Sequence, residues 1–401
     1  MSKSIKIFNG KVITPSGIIP EGTVIIKGGK IDGVYENNVE LTDAIEIDAK
    51  GQYISPGFID IHLHGGGGHD FMDNTIEAFE NIAIAHAKFG TTSMVPTTLT
   101  STKEHLIKTL ETFQKASKKE ISGANFLGVH IEGPYFSLDQ RGAQDPKYIR
   151  LPDANEYMEI LERFPFITRW SAAPELEGAL LFGQILTERN IIASIAHTEA
   201  LYEDVVKARK AGYNLMTHLY SAMLGVTRIK GWRHGGAVES AFLFDDMDVE
   251  IIADGKHLPA ELLQLIYKIK GSDNIALITD AMRAAGTKAD KSILGNLKEG
   301  IEIIIEDGVA KLPDRTAFAG SIATANQLVV NMIEKGNVSM EEAVKMASQT
   351  PARIMKVADK KGKIAKGYDA DIVLFDKNIN VSKTIIGGRL VYQKTISSIN
   401  P

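Results

Sequence analysis

His62 and His64 stand two residues apart at the end of the apolar run 57–64, directly before four glycines, Gly65 to Gly68. On a β-strand that spacing aims both imidazoles the same way, and neutral imidazole is a common ligand for zinc and iron. Taken alone, the pair fits two surface histidines on a strand end equally well. The other strand endings narrow the choice. Run 125–132 ends in Glu132, 191–197 in His197, 213–218 in His218, 248–254 in Asp254 and 275–280 in Asp280. An aspartate after a strand is an ordinary turn former, but turn chemistry does not explain four runs that end in His or Glu. Imidazole and carboxylate donors without thiolate suit a divalent metal, with zinc first and iron, cobalt or manganese as alternatives, at a catalytic site that keeps an open position. A carboxylate such as Asp280 beside that metal can take a proton from water and later pass it to a leaving group. His130, two residues before Glu132, reads as a structural or supporting residue.

Composition limits the setting. The chain has 401 residues and no cysteine, so disulfides, thiol catalysis and thiolate metal sites are excluded. A net charge of -5 gives no broad basic surface for nucleic acid. No apolar run approaches the ~18–20 residues of a membrane span, and the N-terminus passes straight into an alternating strand pattern without a signal-peptide core. The expected location is cytoplasmic.

The elements that must position these residues follow from the pattern. Eight short apolar runs, 57–64, 92–97, 125–132, 167–173, 191–197, 213–218, 248–254 and 275–280, alternate with helix-like segments such as 75–89, 102–116, 179–188, 201–211 and 259–269. Strands alternating with helices imply a parallel sheet with right-handed crossovers. Eight repeats over about 230 residues fit a (β/α)8 TIM-type barrel, whose active site lies at the carboxyl ends of the strands. Two further helical segments are expected near 324–334 and 340–348. Both chain ends are β-rich and carry glycine hairpins, at Gly28-Gly29 and Gly387-Gly388; a further hairpin turn is expected at Asp307-Gly308. The expected organisation is therefore a small β-sandwich domain built from 1–54 and 357–401, with the barrel at 55–356. Gly65 to Gly68 are not followed by the Gly-Lys-Ser/Thr of a phosphate loop and read as close backbone approach at the barrel mouth.

The segments PGFIDIHLHG (56–65), GVHIEGPYFS (128–137), AHTEA (196–200), THLYSAM (217–223), IIADGKHLP (251–259), LITDAMRAAG (277–286), AGSIATANQ (319–327) and KGYDADIVLFD (366–376) together give the chain a resemblance to the amidohydrolase superfamily. Within it the chain closely resembles the N-acetylglucosamine-6-phosphate deacetylases. The first segment marks only the superfamily; HIEGPY, THLY, ADGKH and TDAMRAAG together mark this branch. The resemblance implies a (β/α)8 barrel with a small β-sandwich from both termini. It also implies metal-dependent hydrolysis of the acetamide of an amino-sugar 6-phosphate. By position, Glu132, His197 and His218 would hold the main metal, His62 and His64 match a pair that holds a second metal in some members, and Asp280 matches the catalytic acid/base. The fourth strand has no lysine to serve as a carbamylated bridge, so Glu132 would bridge instead. Ala143, Gln144, Ser221, Ala222, Arg233, the segment from Asp254 to His257, and Phe318, Ala319 and Gly320 match positions lining the family's sugar-phosphate pocket. Arg233 and His257 are the expected phosphate holders, Arg233 reaching the neighbouring site of a homodimer. Gln144 replaces a common histidine and Ser221 a common asparagine. These departures leave N-acetylgalactosamine 6-phosphate, or a different acylated amine, as alternative substrates.

Overall fold

The computed structural model describes residues 3–395, so residues 1–2 and 396–401 of the two expected end segments lie outside the described residues. β-Branched residues dominate the first strands. Gly17–Lys27 and Lys30–Tyr35 form a hairpin closed by Gly28 and Gly29 at φ +56° and +78°. Two consecutive positive φ values define the primed turn that matches strand twist. Gly387 and Gly388, at +54° and +76°, close Val381–Ile386 onto Arg389–Gln393 in the same manner.

Strands from both ends share one eight-stranded sheet. Tyr53–Pro56 is its junction, pairing parallel with Ile5–Thr14 and antiparallel with Ile372–Phe375. One apolar cluster accordingly mixes Ile7, Val24 and Ile54 with Ile372, Leu374 and Ile385. At about 1.5–3 kcal/mol for each such side chain taken from water, this packing ties the two ends together.

The middle of the chain forms parallel strands in chain order: Phe58–Leu63, Thr91–Pro96, Val129–Glu132, Ile167–Ala172, Ile192–Ile195, Tyr213–Met216, Asp248–Ile251 and Ile275–Leu277. They lie in two arcs. At one seam Thr97 bridges His130, and at the other the Asp280 N–H donates to His62 O at 2.9 Å. This curled parallel sheet fits a barrel. Helices Ile76–Ala87, Lys103–Ala116, Ala179–Glu188, Tyr202–Lys210 and Ala260–Lys270 stand where the sequence places them. Thr75 and Thr102 start the first two by accepting the N–H of Ala78 and His105. Two more crossover helices, Ala154–Arg163 and Ala237–Leu243, complete the alternation.

The interior of the curl holds a polar set beside apolar side chains: Arg169, Ser194 and Glu250 pair in register with Ile192, Leu215 and Ala276. Arg169 spans this interior. Its Nε donates to Ser194 Oγ (3.0 Å), Nη1 to Ile61 O (3.3 Å) and Glu250 Oε1, and Nη2 to Thr217 Oγ1 (2.8 Å) and Glu250 Oε2 (2.9 Å). All five N–H groups are therefore used, on residues of four other strands or their ends. Arg169 and Glu250 are both fully buried. TIM-type interiors are usually filled by branched apolar side chains; here a neutralised ion pair lies among them.

After the eighth strand, Lys291–Leu294, Ile301–Glu306 and Val309–Lys311 form a small antiparallel sheet, with the expected turn at Asp307 and Gly308. Helices Ala325–Glu334 and Met340–Ala347 follow.

Candidate active site

The strand ends bring the predicted ligands together. Glu132 Oε1 lies 3.3 Å from His62 Nε2, 3.5 Å from His197 Nε2 and 3.2 Å from His218 Nε2. Glu132 Oε2 lies 3.5 Å from His64 Nε2, and Asp280 Oδ1 is 3.0 Å from the same nitrogen. Two groups have ligand atoms within 4.8 Å of one another, His62 with His64 and Glu132, and Glu132 with His197 and His218. All of these residues are buried.

The far nitrogen of every imidazole is already committed. Nδ1 of His197 faces Gln140 O at 2.8 Å, that of His218 faces Ser221 O at 3.2 Å, and that of His64 faces Thr97 O at 3.3 Å. Nδ1 of His62 faces Glu250 Oε2 at 3.3 Å. Each acceptor calls for an Nδ1–H, which leaves the Nε2 lone pair directed at the cluster. That is the arrangement by which outer partners fix metal-ligating histidines. His62 Nε2 is buried and makes no well-aligned hydrogen bond. Four imidazoles and one carboxylate converging with free lone pairs fit a divalent cation.

The carboxylates also draw positive charge to the cluster, as a proton on imidazole where no metal takes up the Nε2 lone pairs. Burial alone would raise the Glu132 carboxyl, but His62 foremost, with His197 and His218, holds it well below the ordinary value. Burial disfavours the His62 cation, yet Glu132, Glu250 and Asp280 push its pKa up to about 10. For Asp280, too, the effect of burial is outweighed, by the His64 hydrogen bond and the charge of His62, and the carboxyl is lowered. The cluster thus favours positive charge at its centre. His130 is the exception: burial and then Arg169 keep it neutral, and it bonds Ser171 Oγ through Nε2 at 2.6 Å, away from the cluster.

Above the cluster lies a cavity of about 520 Å³, within the range of small-ligand pockets. Ala143, Gln144, Ser221, Ala222, His257, Phe318 and Gly320 line it, as expected from the sequence, together with Asp280. Of the other expected residues, Asp254, Ala319 and Arg233 do not, nor do Gly255 and Lys256 of the segment from Asp254 to His257. Asp254 sits behind the wall and holds His257, its Oδ2 2.8 Å from Nδ1. Ala319 is buried among Met282, Leu294 and Ile303. Arg233 is exposed on the small hairpin of Thr227–Ile229 and Trp232–His234, outside the wall. Gln144 does not face open cavity alone. Its Nε2 donates to Glu132 Oε2 at 2.7 Å, while its Oε1 accepts from the N–H and hydroxyl of Thr100, each at 2.9 Å. It braces Glu132.

Several residues of the site escaped the sequence reading. Leu99, from a loop, and Leu294, at the end of the strand Lys291–Leu294, contribute apolar wall from segments that carry no motif. Glu250 and Arg169 had a visible signal, a charged residue in the middle of each of two apolar runs. Gly65 and Gly66 do mark close approach: a Cβ on Gly65 would lie 2.3 Å from His69 O, and one on Gly66 2.5 Å from His86 Nε2.

The model of the Amidohydrolase family matches residues 53–391. An N-acetylglucosamine-6-phosphate deacetylase of Lysinibacillus sphaericus is 33% identical over 395 residues, which cover 97% of this chain and 98% of that protein. The solved N-acetylglucosamine-6-phosphate deacetylase of Pasteurella multocida has a TM-score of 0.90 at 27% identity, covering 98% of this chain and 100% of that one. A mutant of the Mycobacterium smegmatis N-acetyl-D-glucosamine-6-phosphate deacetylase, solved in complex with N-acetyl-D-glucosamine-6-phosphate, has a TM-score of 0.89 at 26% identity, again covering 98% and 100%.

Proposed function

The chain belongs to the amidohydrolase family, and from that premise we propose that it hydrolyses N-acetylglucosamine 6-phosphate to glucosamine 6-phosphate and acetate. The observation that carries this is the outward commitment of all four Nδ1 atoms, which leaves Nε2 of His62, His64, His197 and His218 facing Glu132 under a sugar-sized cavity. The relatives named above favour the glucosamine over the galactosamine epimer.

Glu132, His197 and His218 would hold the first divalent metal, and His62 and His64, with Glu132, would hold a second. Zinc suits these donors; iron, cobalt and manganese are the alternatives. When bound, such a cation lowers the pKa of water and polarises a carbonyl. Asp280, ionised and lining the cavity, accepts a proton from the attacking water. It returns that proton to the amide nitrogen as the C–N bond breaks, so acetate and amine leave together. Gln144 holds Glu132 in position, and Ser221 and Ala222 line the opposite wall. His257, fixed by Asp254 and set edge-on to Phe318 with ring centres 4.8 Å apart, faces the phosphate.

The finer organisation follows the same reading. The shared terminal sheet and its own apolar cluster support a β-sandwich domain at 1–54 and 357–401 beside a (β/α)8 barrel at 55–356. Arg233, with the exposed Trp232, Ile229 and Val226, reaches a neighbouring subunit's site in a homodimer. The enzyme works in the cytoplasm; no helix of the described residues is long and apolar enough to cross a membrane.

Acetate release from N-acetylglucosamine 6-phosphate, with metal content measured on the same sample, tests the proposal. Turnover that is lost on chelation and restored by zinc or another divalent ion is expected. No acetate from the metal-loaded protein refutes it.

A further inference from the structure

A phosphate monoester needs convergent cationic donors, and in a single chain the expected arginine, Arg233, is outside the cavity wall. Arg141 is inside it. Among the described residues lining the cavity it is the one lysine or arginine. Its guanidinium makes a single hydrogen bond, from Nη1 to Leu138 O at 3.2 Å, and pairs with no carboxylate of the described residues. Other arginines close in sequence to the site are spent: Arg150 on Glu156 and Arg283 on Asp73. A guanidinium left with most of its five donors free, at the edge of a pocket, is available to a ligand.

The loop that carries it is fastened to the metal cluster. Gln140 O accepts the Nδ1–H of His197 at 2.8 Å, and the Ser137 N–H donates to His197 O at 2.9 Å. Gly142, at φ +57°, follows at close range, its Cβ position 3.6 Å from His197 Cε1. Arg141 therefore sits between two residues held against a candidate ligand. Asp139 lines the same wall and would repel a phosphate, so an anion there requires a cation beside it.

We propose that Arg141 binds the 6-phosphate of the substrate from within the same chain, working with His257. This inference rests on the deacetylase reading. It makes Arg141 a specificity-determining residue: it selects phosphorylated over free amino sugar and takes no part in bond breaking.

The test compares acetate release from N-acetylglucosamine 6-phosphate and from N-acetylglucosamine by the metal-loaded wild type, Arg141→Ala and Arg141→Lys. Arg141 is exposed, so both variants should fold, which circular dichroism checks. In Arg141→Ala the preference for the phosphorylated sugar, as a ratio of kcat/KM values, is expected to fall about tenfold or more, mainly through KM. Arg141→Lys should recover part of it, and competitive inhibition by inorganic phosphate should weaken in parallel. A preference within about twofold of wild type in Arg141→Ala overturns the inference while leaving the deacetylase reading intact. A wild type that releases acetate from neither sugar overturns both.

Discussion

Replacing Arg169 by methionine keeps an unbranched side chain of similar length and removes all five donors. The loss strands a fully buried carboxylate, Glu250, with only His62 Nδ1 beside it, and removes donors from Ser194 Oγ, Thr217 Oγ1 and Ile61 O. Breaking a buried ion pair by removing one partner costs about 3–5 kcal/mol. Against a total stability of about 5–15 kcal/mol, Arg169→Met should lower the unfolding midpoint by about a fifth or more of the wild-type value. The double variant Arg169→Met/Glu250→Leu removes both charges and should recover most of that loss, since a buried pair exchanged for apolar groups is often neutral or stabilising. A residual deficit of about 1 kcal/mol is expected from the oxygens and the His62 N–H that remain unpaired. Urea titration of the metal-saturated protein, followed by fluorescence, reads this directly. One of the two tryptophans, Trp170, is the neighbour of Arg169 and fully buried. If Arg169→Met stays within about 1 kcal/mol of wild type, or the double variant is no better than the single, the pair is not a neutralised core element and the reasoning fails.

Asp280→Asn should retain metal and bind substrate while kcat falls by about 10²–10⁴; near-normal turnover would remove Asp280 from proton transfer. His62→Asn with His64→Asn should lose one metal equivalent per chain and much of kcat, measured by elemental analysis and acetate release. Full activity with one metal bound would assign the second site no catalytic part. Folding stability should fall on acidification through His86. Burial lowers its pKa, Nε2 donates to Gly65 O at 2.9 Å, and the buried Nδ1 has no partner to receive a proton. The unfolded chain binds that proton near its ordinary pKa and the folded chain does not, so the contribution is fully present above about 6.5 and declines below it. The slope is at most about 1.4 kcal/mol per pH unit for this group. His86→Gln should flatten that limb of the pH–stability curve measured by thermal melts; an unchanged slope would exclude His86 as its source.

The ligands were legible in the sequence because a parallel strand must end where its crossover begins, and a His or Glu at that point leaves an unmistakable break in an apolar run. The glycine hairpins were legible for the same local reason, the need for two positive φ values. Other features depend on partners distant in the chain. Nothing near Gln144 says that Thr100 will take its carbonyl and Glu132 its amide. Asp254 ends a strand as Asp280 does, yet one faces the cavity and the other holds His257 from behind. The polar interior was masked by small residues such as Ser171, Ser194 and Thr217, which do not interrupt an apolar pattern. The helix Ala154–Arg163 has an Asp153 cap and buried Tyr157, Ile160 and Leu161 at helical spacing.

Three residues at the cluster, His197, His218 and Asp280, have φ values of +47°, +30° and +48°. This left-handed region is sparsely used outside glycine, and His, Asp and Asn enter it several-fold more readily than other residues. The chain therefore turns the corner at three strand ends with residue types that tolerate the corner and also serve as ligand or base. That double demand restricts how the centre can be rebuilt. Glutamate could replace Asp280 chemically, and cysteine could replace His197 as a donor, but each would carry a backbone cost of about 1–2 kcal/mol before any ligand distance is considered. Attempts to retune this centre for another metal face fewer choices at these three corners than at Glu132, which lies within a regular strand and is free of that constraint.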